Sequence, residues 1–400
     1  MFQPKPINLI LIFVLTFVVL GADAQKEVPS FKLNSPITID GIFEPDKWTG
    51  AELATDFVQM EPATGEKASQ KTEVWFGFDD NNIYVVFNCF QTTPVMAKNQ
   101  SRDALSKSDD IVALIFDTYN DNRSGYVFFA NPLGTQYEMK VNDDGRNMDF
   151  NWDTEWKCEA KIEDWGWCVE FEIPFKSLKY KKGLDTWGIN FGRVIRSNFE
   201  TSYWSGVLSD DFRVSQGGKA TGIETPGSQM QLSVFPYLSV FKTSGEKIDA
   251  DYGGDIRWQI TPNVSLNSTV NPDFATVEAD QRVINLTRYE IRYPEKRLFF
   301  QEGNEMYNTR IKTFYSRRIQ DIDFGNRLNG KIGKTQFNIL NVRTPFESAE
   351  NPKTWFTAAR AKFDFLKSST LGLTLVDKSW ASGSTGKVTD VNYQSWESGY

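Results

Sequence analysis

The stretch KTEVWFGFDDNNIYVVFNCF, residues 71–90, decides the fold of this chain. It contains two runs rich in β-branched and aromatic residues, 71–78 and 83–90, separated by Asp79-Asp80-Asn81-Asn82. Strand-forming residues on both sides of a turn rich in Asp and Asn predict a β-hairpin. The nearly all-apolar run 111–117 predicts a strand buried on both faces.

Further short strands are predicted on both sides of this core. They cover residues 125–130, 135–141, 156–162, 167–173 and 187–195. No long run has helical period, so many short strands with turns between them predict a β-sandwich. We place this domain at residues 25–226 and expect a linker at Thr225-Pro226-Gly227-Ser228. The fold class is therefore all-β.

The first 24 residues have the composition of a signal peptide. Lys5 precedes an apolar run at 9–20, and Ala22-Asp23-Ala24 is a small-x-small cleavage signal before Gln25. The apolar run is too short for a spanning helix, which needs about 20 apolar residues. We therefore expect export into the envelope of a Gram-negative-type cell.

The composition excludes several functions. Histidine is absent, which removes Ser-His-Asp and Cys-His catalysis and imidazole zinc sites. Acidic residues number 52 against 44 Lys and Arg, for a net charge of -8, which argues against nucleic acid as a partner. The groups that remain available for catalysis are carboxylates, Tyr, Lys and metals bound through oxygen.

The cysteines favour buried thiols over a disulfide. Cys158 and Cys168 flank the turn Glu163-Asp164-Trp165-Gly166. If Ile162 pairs with Trp167, the two Cys side chains point to opposite faces, because strand side chains alternate. A bulge would reverse this expectation.

Several motifs of the first domain resemble family-nine carbohydrate-binding modules. The opening Ile37-Thr38-Ile39-Asp40-Gly41, followed by Glu44 and Trp48, is similar to the start of that family. The later motifs agree with it in order and spacing: Val74-Trp75-Phe76-Gly77-Phe78-Asp79, residues 83–85 and 110–117, Trp187-Gly188-Ile189-Asn190-Phe191 and Tyr203-Trp204-Ser205. We expect Gly41 and Asp40 to form a tight turn and Trp48 to fill the core.

The resemblance implies where a glycan would bind. Characterised members hold a sugar between two Trp rings, and the matching positions here are Lys107 and Phe212. Arg213 is the expected polar neighbour, and Trp204 lies nearby in sequence. Because the Trp clamp is altered, we expect weak affinity.

A crowded group of Trp residues offers a second aromatic platform. Trp152, Trp156, Trp165 and Trp167 fall within sixteen residues, and Trp165 lies in a predicted turn. The alternative is that the other three fill the core and only Trp165 lies at the surface.

An Asx-rich loop is a candidate calcium site. Asp117, Asn120 and Asp121 offer the oxygen ligands that Ca²⁺ prefers, and modules of the resembled family bind calcium structurally. The alternative is a turn stabilised by its own Asp and Asn side chains.

The second segment, residues 230–400, has a different pattern. Apolar and polar residues alternate in long runs, as in residues 255–260, 264–270, 358–365 and 371–375. Such segments are typical of an outer-membrane β-barrel that faces lipid outside and water inside, although a soluble sandwich alternates too. We expect the beginning of a membrane barrel, with outer-membrane lipid as a partner.

A second resemblance supports the barrel interpretation. Asn271-Pro272-Asp273-Phe274, Pro294-Glu295-Lys296-Arg297 and Tyr315-Ser316-Arg317-Arg318-Ile319 resemble an uncharacterised family predicted to form such barrels after a family-nine-like module. Residues 271–326 are rich in charged side chains. This composition fits either a solvated loop or a segment held inside the barrel by ion pairs. With seven or eight strands expected, we regard the sequence as part of a longer protein.

These patterns leave three functional hypotheses. The first is a non-catalytic envelope protein with a glycan-binding sandwich on an outer-membrane barrel, linked to carbohydrate binding or catabolism. The second is a glycoside hydrolase, which requires two carboxyls about 5 to 9.5 Å apart. The third is an outer-membrane assembly or transport protein whose sandwich binds another protein.

Overall fold

The computed structural model describes residues 25–103, 108–227, 231–242, 248–272, 274, 291–309, 312–348, 352–365, 369–382 and 386–399. The expected signal peptide, Lys107 and most of the motif region 273–290 lie outside these described residues.

The described residues of the first part of the chain form fifteen strands. They are β1 (Glu27–Pro29), β2 (Phe31–Lys32), β3 (Leu53–Ala54), β4 (Val58–Glu61), β5 (Thr72–Phe78), β6 (Asn82–Phe90), β7 (Ile111–Asp117), β8 (Gly125–Ala130), β9 (Gln136–Asn142), β10 (Asn147–Asp149), β11 (Lys157–Glu163), β12 (Gly166–Pro174), β13 (Thr186–Ile195), β14 (Glu200–Tyr203) and β15 (Gly218–Thr221). Single 3₁₀ turns lie at Pro45–Trp48, Phe175–Ser177 and Val214–Gln216.

These strands form two sheets that pack face to face. One has nine strands, with the path β1-β15-β13-β7-β8-β9-β10 and β14 and β4 at its side; the other has six, with the path β11-β12-β6-β5-β2 and β3 at its side. Their facing sides share a core of aliphatic and aromatic residues that includes Phe76, Phe87, Leu114, Phe128 and Phe191. The first part is therefore a β-sandwich.

The hairpin at residues 71–90 is confirmed. β5 and β6 pair from Thr72 with Cys89 to Phe78 with Ile83. Asp79 Oδ1 accepts hydrogen bonds from the backbone N–H groups of Asn81 and Asn82, both at 2.7 Å, which stabilises the turn. Every residue of β7 is buried, as its apolar run predicts.

The turn at Asp40 and Gly41 is also confirmed. Asp40 Oδ1 accepts a hydrogen bond from the N–H of Ile42 at 2.9 Å. Gly41 has φ of +77°, and a Cβ there would lie 2.7 Å from the backbone carbon of Ala160. Trp48 is 3% exposed, so it fills the core as expected.

The predicted register around the cysteines is confirmed. Cys158 pairs with Phe171, Lys161 with Cys168, and Ile162 with Trp167. All three cysteines of the chain are buried free thiols. Burial raises the pKa of the Cys89 thiol to about 11, so it is not a reactive thiolate at neutral pH.

The second part is an antiparallel sheet of eight strands in sequence order. The strands are β16 (Gln231–Lys242), β17 (Ile248–Thr261), β18 (Val264–Val270), β19 (Phe324–Ile332), β20 (Thr335–Arg343), β21 (Thr354–Asp364), β22 (Thr370–Ser382) and β23 (Gly386–Gly399). Within the described residues the pairing runs from β16 to β23, and no pairing joins these two strands.

The described residues between β18 and β19 are largely irregular, as their composition predicts. They contain helix α1 (Leu298–Gln301) and 3₁₀ turns at Asn304–Tyr307 and Ser316–Arg318. Among the helices that the structure describes, none is long and apolar enough to cross a membrane.

Candidate functional site

Three aromatic rings meet on the outer face of the nine-stranded sheet. Phe129 on β8 lies 5.5 Å from Tyr137 on β9 and 5.6 Å from Phe212, measured between ring centroids. Phe129 is buried, whereas Tyr137 and Phe212 are partly exposed. We call these three residues the aromatic edge.

A network of polar contacts holds Phe212 in place. Its φ of +59° is unusual for a bulky residue. Arg213 Nη1 donates to the backbone oxygen and to Oδ2 of Asp144, at 3.1 and 3.2 Å, and the N–H of Ser215 donates to Asp144 Oδ1 at 2.9 Å. Arg213 and Ser215 thus fix the loop to the turn after β9.

Trp204 and Trp165 lie away from the aromatic edge. Trp204 is 3% exposed and packs on Phe191 inside the sandwich, at 5.4 Å between ring centroids. Trp165 is exposed at the β11–β12 turn of the other sheet and packs on Phe90 at 5.0 Å. The structure therefore brings only Phe212 and Arg213 together, and Lys107 lies outside the described residues.

The other crowded Trp residues pack inward. Trp156 and Trp167 are buried, and Trp152 is partly buried against Tyr126 at 4.7 Å between ring centroids. Trp156 and Trp167 therefore fill the core as the alternative predicts, whereas Trp152 keeps part of its surface exposed.

Tyr137 is a member of the aromatic edge that the sequence analysis does not single out. Its ring points to the outer face, whereas its neighbours on β9 contact the other side: Gln136 Oε1 and Glu138 Oε1 accept hydrogen bonds from Arg102 at 2.5 and 2.8 Å. Burial, with the charges of Asp103, Glu138 and Asp149, raises the pKa of Tyr137 to about 12, so its hydroxyl stays protonated. The alternation of β9 was available as a signal, but the sequence alone did not show which face stays open.

The Asx-rich loop between β7 and β8 is stabilised by its own carboxylates. Asp117 Oδ1 accepts from the N–H groups of Tyr119 and Asp121, at 3.2 and 3.1 Å, and its Oδ2 accepts from that of Asn122 at 2.7 Å. Burial, together with the charge of Asp121, raises the pKa of Asp117 to about 7. Both oxygens of Asp117 are therefore engaged by the backbone of its own loop.

Lysine ammonium groups occupy the remaining ligand positions of the loop. Lys219 Nζ donates to Asn120 Oδ1 at 2.5 Å, and Lys331 Nζ forms an ion pair with Asp121. Burial opposes ionisation of Asp121, but the Lys331 ammonium outweighs it and lowers the pKa. Two cations at the loop would repel Ca²⁺, so the expected donor set does not fit this metal.

Within the described ranges, no group of three or more Cys, Asp and Glu side chains is arranged to hold a metal ion.

Buried carboxyls of the sandwich serve its interior. Glu138 Oε2 accepts a hydrogen bond from Trp156 Nε1 at 2.9 Å, and burial raises the pKa of Glu138 to about 7. Glu170 accepts two backbone hydrogen bonds, at 3.0 Å each, from the Asp40 and Gly41 turn. These contacts explain why both carboxyls are buried without involving a substrate.

A cavity of about 660 Å³ lies between the sandwich and the second sheet. Its walls combine aromatic rings with charged groups, among them Lys140, Trp152, Phe235, Arg257, Phe299 and Glu302. Lys140 Nζ lies 5.2 Å from the centroid of the Trp152 ring, and the Arg257 guanidinium lies 5.2 Å from that of Phe235. A cavity of this size and chemistry can hold a polar ligand of several rings.

The fold defines an all-β protein with an N-terminal two-sheet sandwich and a second antiparallel sheet. Residues 228–340 match a family described as "Domain of unknown function (DUF5916)". No curated protein matches the chain.

Solved structures similar to this chain match about half of it. A carbohydrate binding module of family 9 from Caldicellulosiruptor kristjanssonii, in complex with cellotriose, is 17% identical with a TM-score of 0.37, covering 49% of this chain and 93% of that one. A family 9 module from the same organism in complex with glucose is 18% identical with a TM-score of 0.36, and the match covers 49% of this chain and 95% of that one. A putative carbohydrate-binding protein from Bacteroides uniformis is 15% identical with a TM-score of 0.40, and the match covers 50% of this chain and 99% of that one.

Proposed function

We propose that this chain belongs to the outer membrane of a Gram-negative envelope, with its eight-stranded sheet facing lipid. The observation that carries the proposal is the inverted polarity of that sheet. On β22, Leu373 and Leu375 are 39% and 38% exposed, whereas Thr374 between them is fully buried. Apolar residues point outward and polar residues inward, the reverse of a soluble domain.

Other strands of the sheet show the same pattern in part, while Leu340, Val342 and Ala358 are buried against the irregular segment and Ser233 on β16 is exposed. The exposed apolar residues of the sheet include Leu232, Val234, Leu238, Val240, Ile256, Ile339, Phe363 and Leu371. Its buried residues include Ser265, Thr269, Arg327, Asn329, Asn338 and Arg360. An apolar surface of this extent in water would be an aggregation liability, and lipid is the solvent that suits it.

The irregular segment after β18 supports a polar interior. Asn267 and Arg327 on the polar face form hydrogen bonds to Glu302 and its backbone oxygen, and Asn338 Nδ2 donates to the backbone oxygen of Gly303 at 2.8 Å. Glu295 and Arg297 form a buried ion pair at 2.7 Å within this segment. The segment is thus held on the polar face by charge and hydrogen bonds, in line with the second of its two sequence-based interpretations.

Cell fractionation tests the proposed location. We expect the full protein in the outer-membrane fraction, with heat-modifiable migration in gels. Recovery of all the protein in the soluble periplasm would contradict the proposal. The small-x-small signal before Gln25 further predicts that the mature protein begins there.

As a second function we propose weak binding of a glycan at the aromatic edge. Sugar rings stack on exposed aromatic faces, and Tyr137 and Phe212, each in contact with Phe129, are partly exposed rings of this kind. The fixed loop of Arg213 and Asp144 supplies a formed site instead of a mobile one. Contact with another protein at the same edge is the alternative, and calorimetry with oligosaccharides distinguishes the two.

A further inference from the structure

The connections of the eight-stranded sheet differ between its two ends. At one end β17 and β18 are joined by residues 262–263, β19 and β20 by 333–334, and β21 and β22 by 365–369. At the other end the connections are residues 243–247, 271–323, 344–353 and 383–385, and the second and third of these are longer than any connection at the first end. Outer-membrane barrels have short turns on the periplasmic side and longer loops outside the cell.

The sandwich contacts the end with short turns. Lys362 Nζ on β21 lies 2.8 Å from Asp143 Oδ1 in the turn after β9. Arg123 Nη1 lies 3.0 Å from Asp364 Oδ1 at the end of β21, and Lys331 at the end of β19 pairs with Asp121. The side chains of these residues are mostly buried between the two parts of the chain.

Hydrogen bonds extend this contact toward the polar face. The Tyr119 hydroxyl donates to Asn263 Oδ1 at 3.3 Å in the β17–β18 turn. Lys179 Nζ donates to Ser265 Oγ at 2.9 Å and to Asn329 Oδ1 at 2.5 Å, and it lies 3.3 Å from Glu302 Oε1. Lys179 therefore joins the sandwich, two strands and the irregular segment at one point.

We infer that the sandwich lies on the periplasmic side of the membrane and docks on the short-turn end of the sheet through these charged pairs. The inference rests on the proposed membrane location and adds its orientation. It also gives the Asx-rich loop a structural role in docking. The hydrogen bonds within this loop hold Asp121 where it pairs with Lys331. The docked sandwich and the segment at Glu302 together cover the polar face at this end.

Labelling of single cysteines in cells tests the orientation. Glu52 lies on the exposed surface of the sandwich, and Phe346, 65% exposed, lies in a connection at the opposite end of the sheet. We expect a membrane-impermeant maleimide to label Phe346→Cys in intact cells, and Glu52→Cys only after the outer membrane is permeabilised. Labelling of Glu52→Cys in intact cells, or protection of Phe346→Cys there, would overturn the inference.

Cross-linking tests the docking independently of the membrane. A short bis-maleimide should join Asp143→Cys to Lys362→Cys about ten-fold or more efficiently than Asp143→Cys to Lys353→Cys, because docking raises the effective concentration of the first pair. Lys353 pairs with Asp323 at the other end of the sheet and serves as the control. Equal yields would overturn the docking, whereas a soluble protein that still cross-links would contradict only the proposed location and hence the orientation.

Discussion

The carboxylate of Glu170 accepts a hydrogen bond at 3.0 Å from the backbone N–H of Gly41, which joins β12 to the turn that opens the sandwich. Its Oε2 accepts a second one from Asp40, while its Oε1 is buried and without a hydrogen bond. Burial raises the pKa of Glu170 to about 7 in spite of these two bonds. The turn therefore depends on a carboxyl that prefers its neutral form.

We predict that Glu170→Gln flattens the pH dependence of stability. The folded pKa of Glu170 lies above its ordinary value of 4.5, so its contribution is complete below about pH 4.5 and is lost as the pH rises through 7. The loss corresponds to about 3 kcal/mol between these limits. Urea unfolding of the full chain in detergent, followed by tryptophan fluorescence, measures it.

The variant should keep the hydrogen bonds, because the amide oxygen of Gln accepts the same two N–H groups. Asp117 and Glu138 also have raised pKa values, so the difference between wild type and variant isolates Glu170. Parallel curves for the two proteins from pH 5 to pH 8 would contradict the prediction.

Gly41→Ala should be far more destabilising than Gly183→Ala. Both glycines have left-handed φ values, +77° and +72°, which cost an L-residue about 1 to 2 kcal/mol. A Cβ at Gly41 would also lie 2.7 Å from the backbone of Ala160, whereas a Cβ at Gly183 meets no atom within 4 Å. We expect the difference to exceed about 1 kcal/mol in urea unfolding, and equal losses would show that the turn relaxes freely.

The sandwich could be predicted because its signals are local. The hairpin at 71–90 is specified by its turn chemistry, and the register of Cys158 and Cys168 follows from a four-residue turn. Glu170 could not be assigned to the Asp40 turn, because the two are 130 residues apart and meet only through tertiary pairing.

The site was less predictable because it depends on burial and on contacts between distant segments. Trp204 was a plausible platform by sequence, yet its ring packs under β15, against Gly218. The loop of Asp117 and Asp121 has the composition of a calcium site, but its cations are Lys219 and Lys331, the second from a distant strand. No pattern in the loop itself could reveal these partners.

Tyr137→Ala should abolish glycan binding, while Trp165→Ala should leave it unchanged. Tyr137 is the partly exposed ring of the aromatic edge, and Trp165 is an exposed ring on the other sheet. Calorimetry of the full chain with a panel of oligosaccharides measures both, and we expect dissociation constants on the order of 1 mM for the wild type, weak because one aromatic wall is missing. Equal loss in the two variants would place the site elsewhere, and no binding by the wild type would favour a protein partner.

Calcium should not stabilise the full chain. The ammonium groups of Lys219 and Lys331 already neutralise the oxygens of the Asx-rich loop. We expect the same melting temperature in excess Ca²⁺ and in EDTA. Lys331→Ala is the informative control, since removal of this ammonium leaves Asp121 without its ion pair. If calcium raised the melting temperature of the wild type as much as that of the variant, the calcium interpretation would be restored.

Leu375→Arg should destabilise the protein in lipid, while Leu133→Arg should not. The two leucines are almost equally exposed, at 38% and 37%, but Leu375 lies on β22 and Leu133 in a turn of the sandwich. An Arg on the lipid face of a membrane strand costs about 2 to 4 kcal/mol near the midplane, and a surface substitution in water usually changes stability by about 0.5 kcal/mol or less. Reversible unfolding of the full chain from phosphatidylcholine vesicles gives both values, and if Leu375→Arg were as harmless as Leu133→Arg, the apolar face of the second sheet would face water and the membrane proposal would fail.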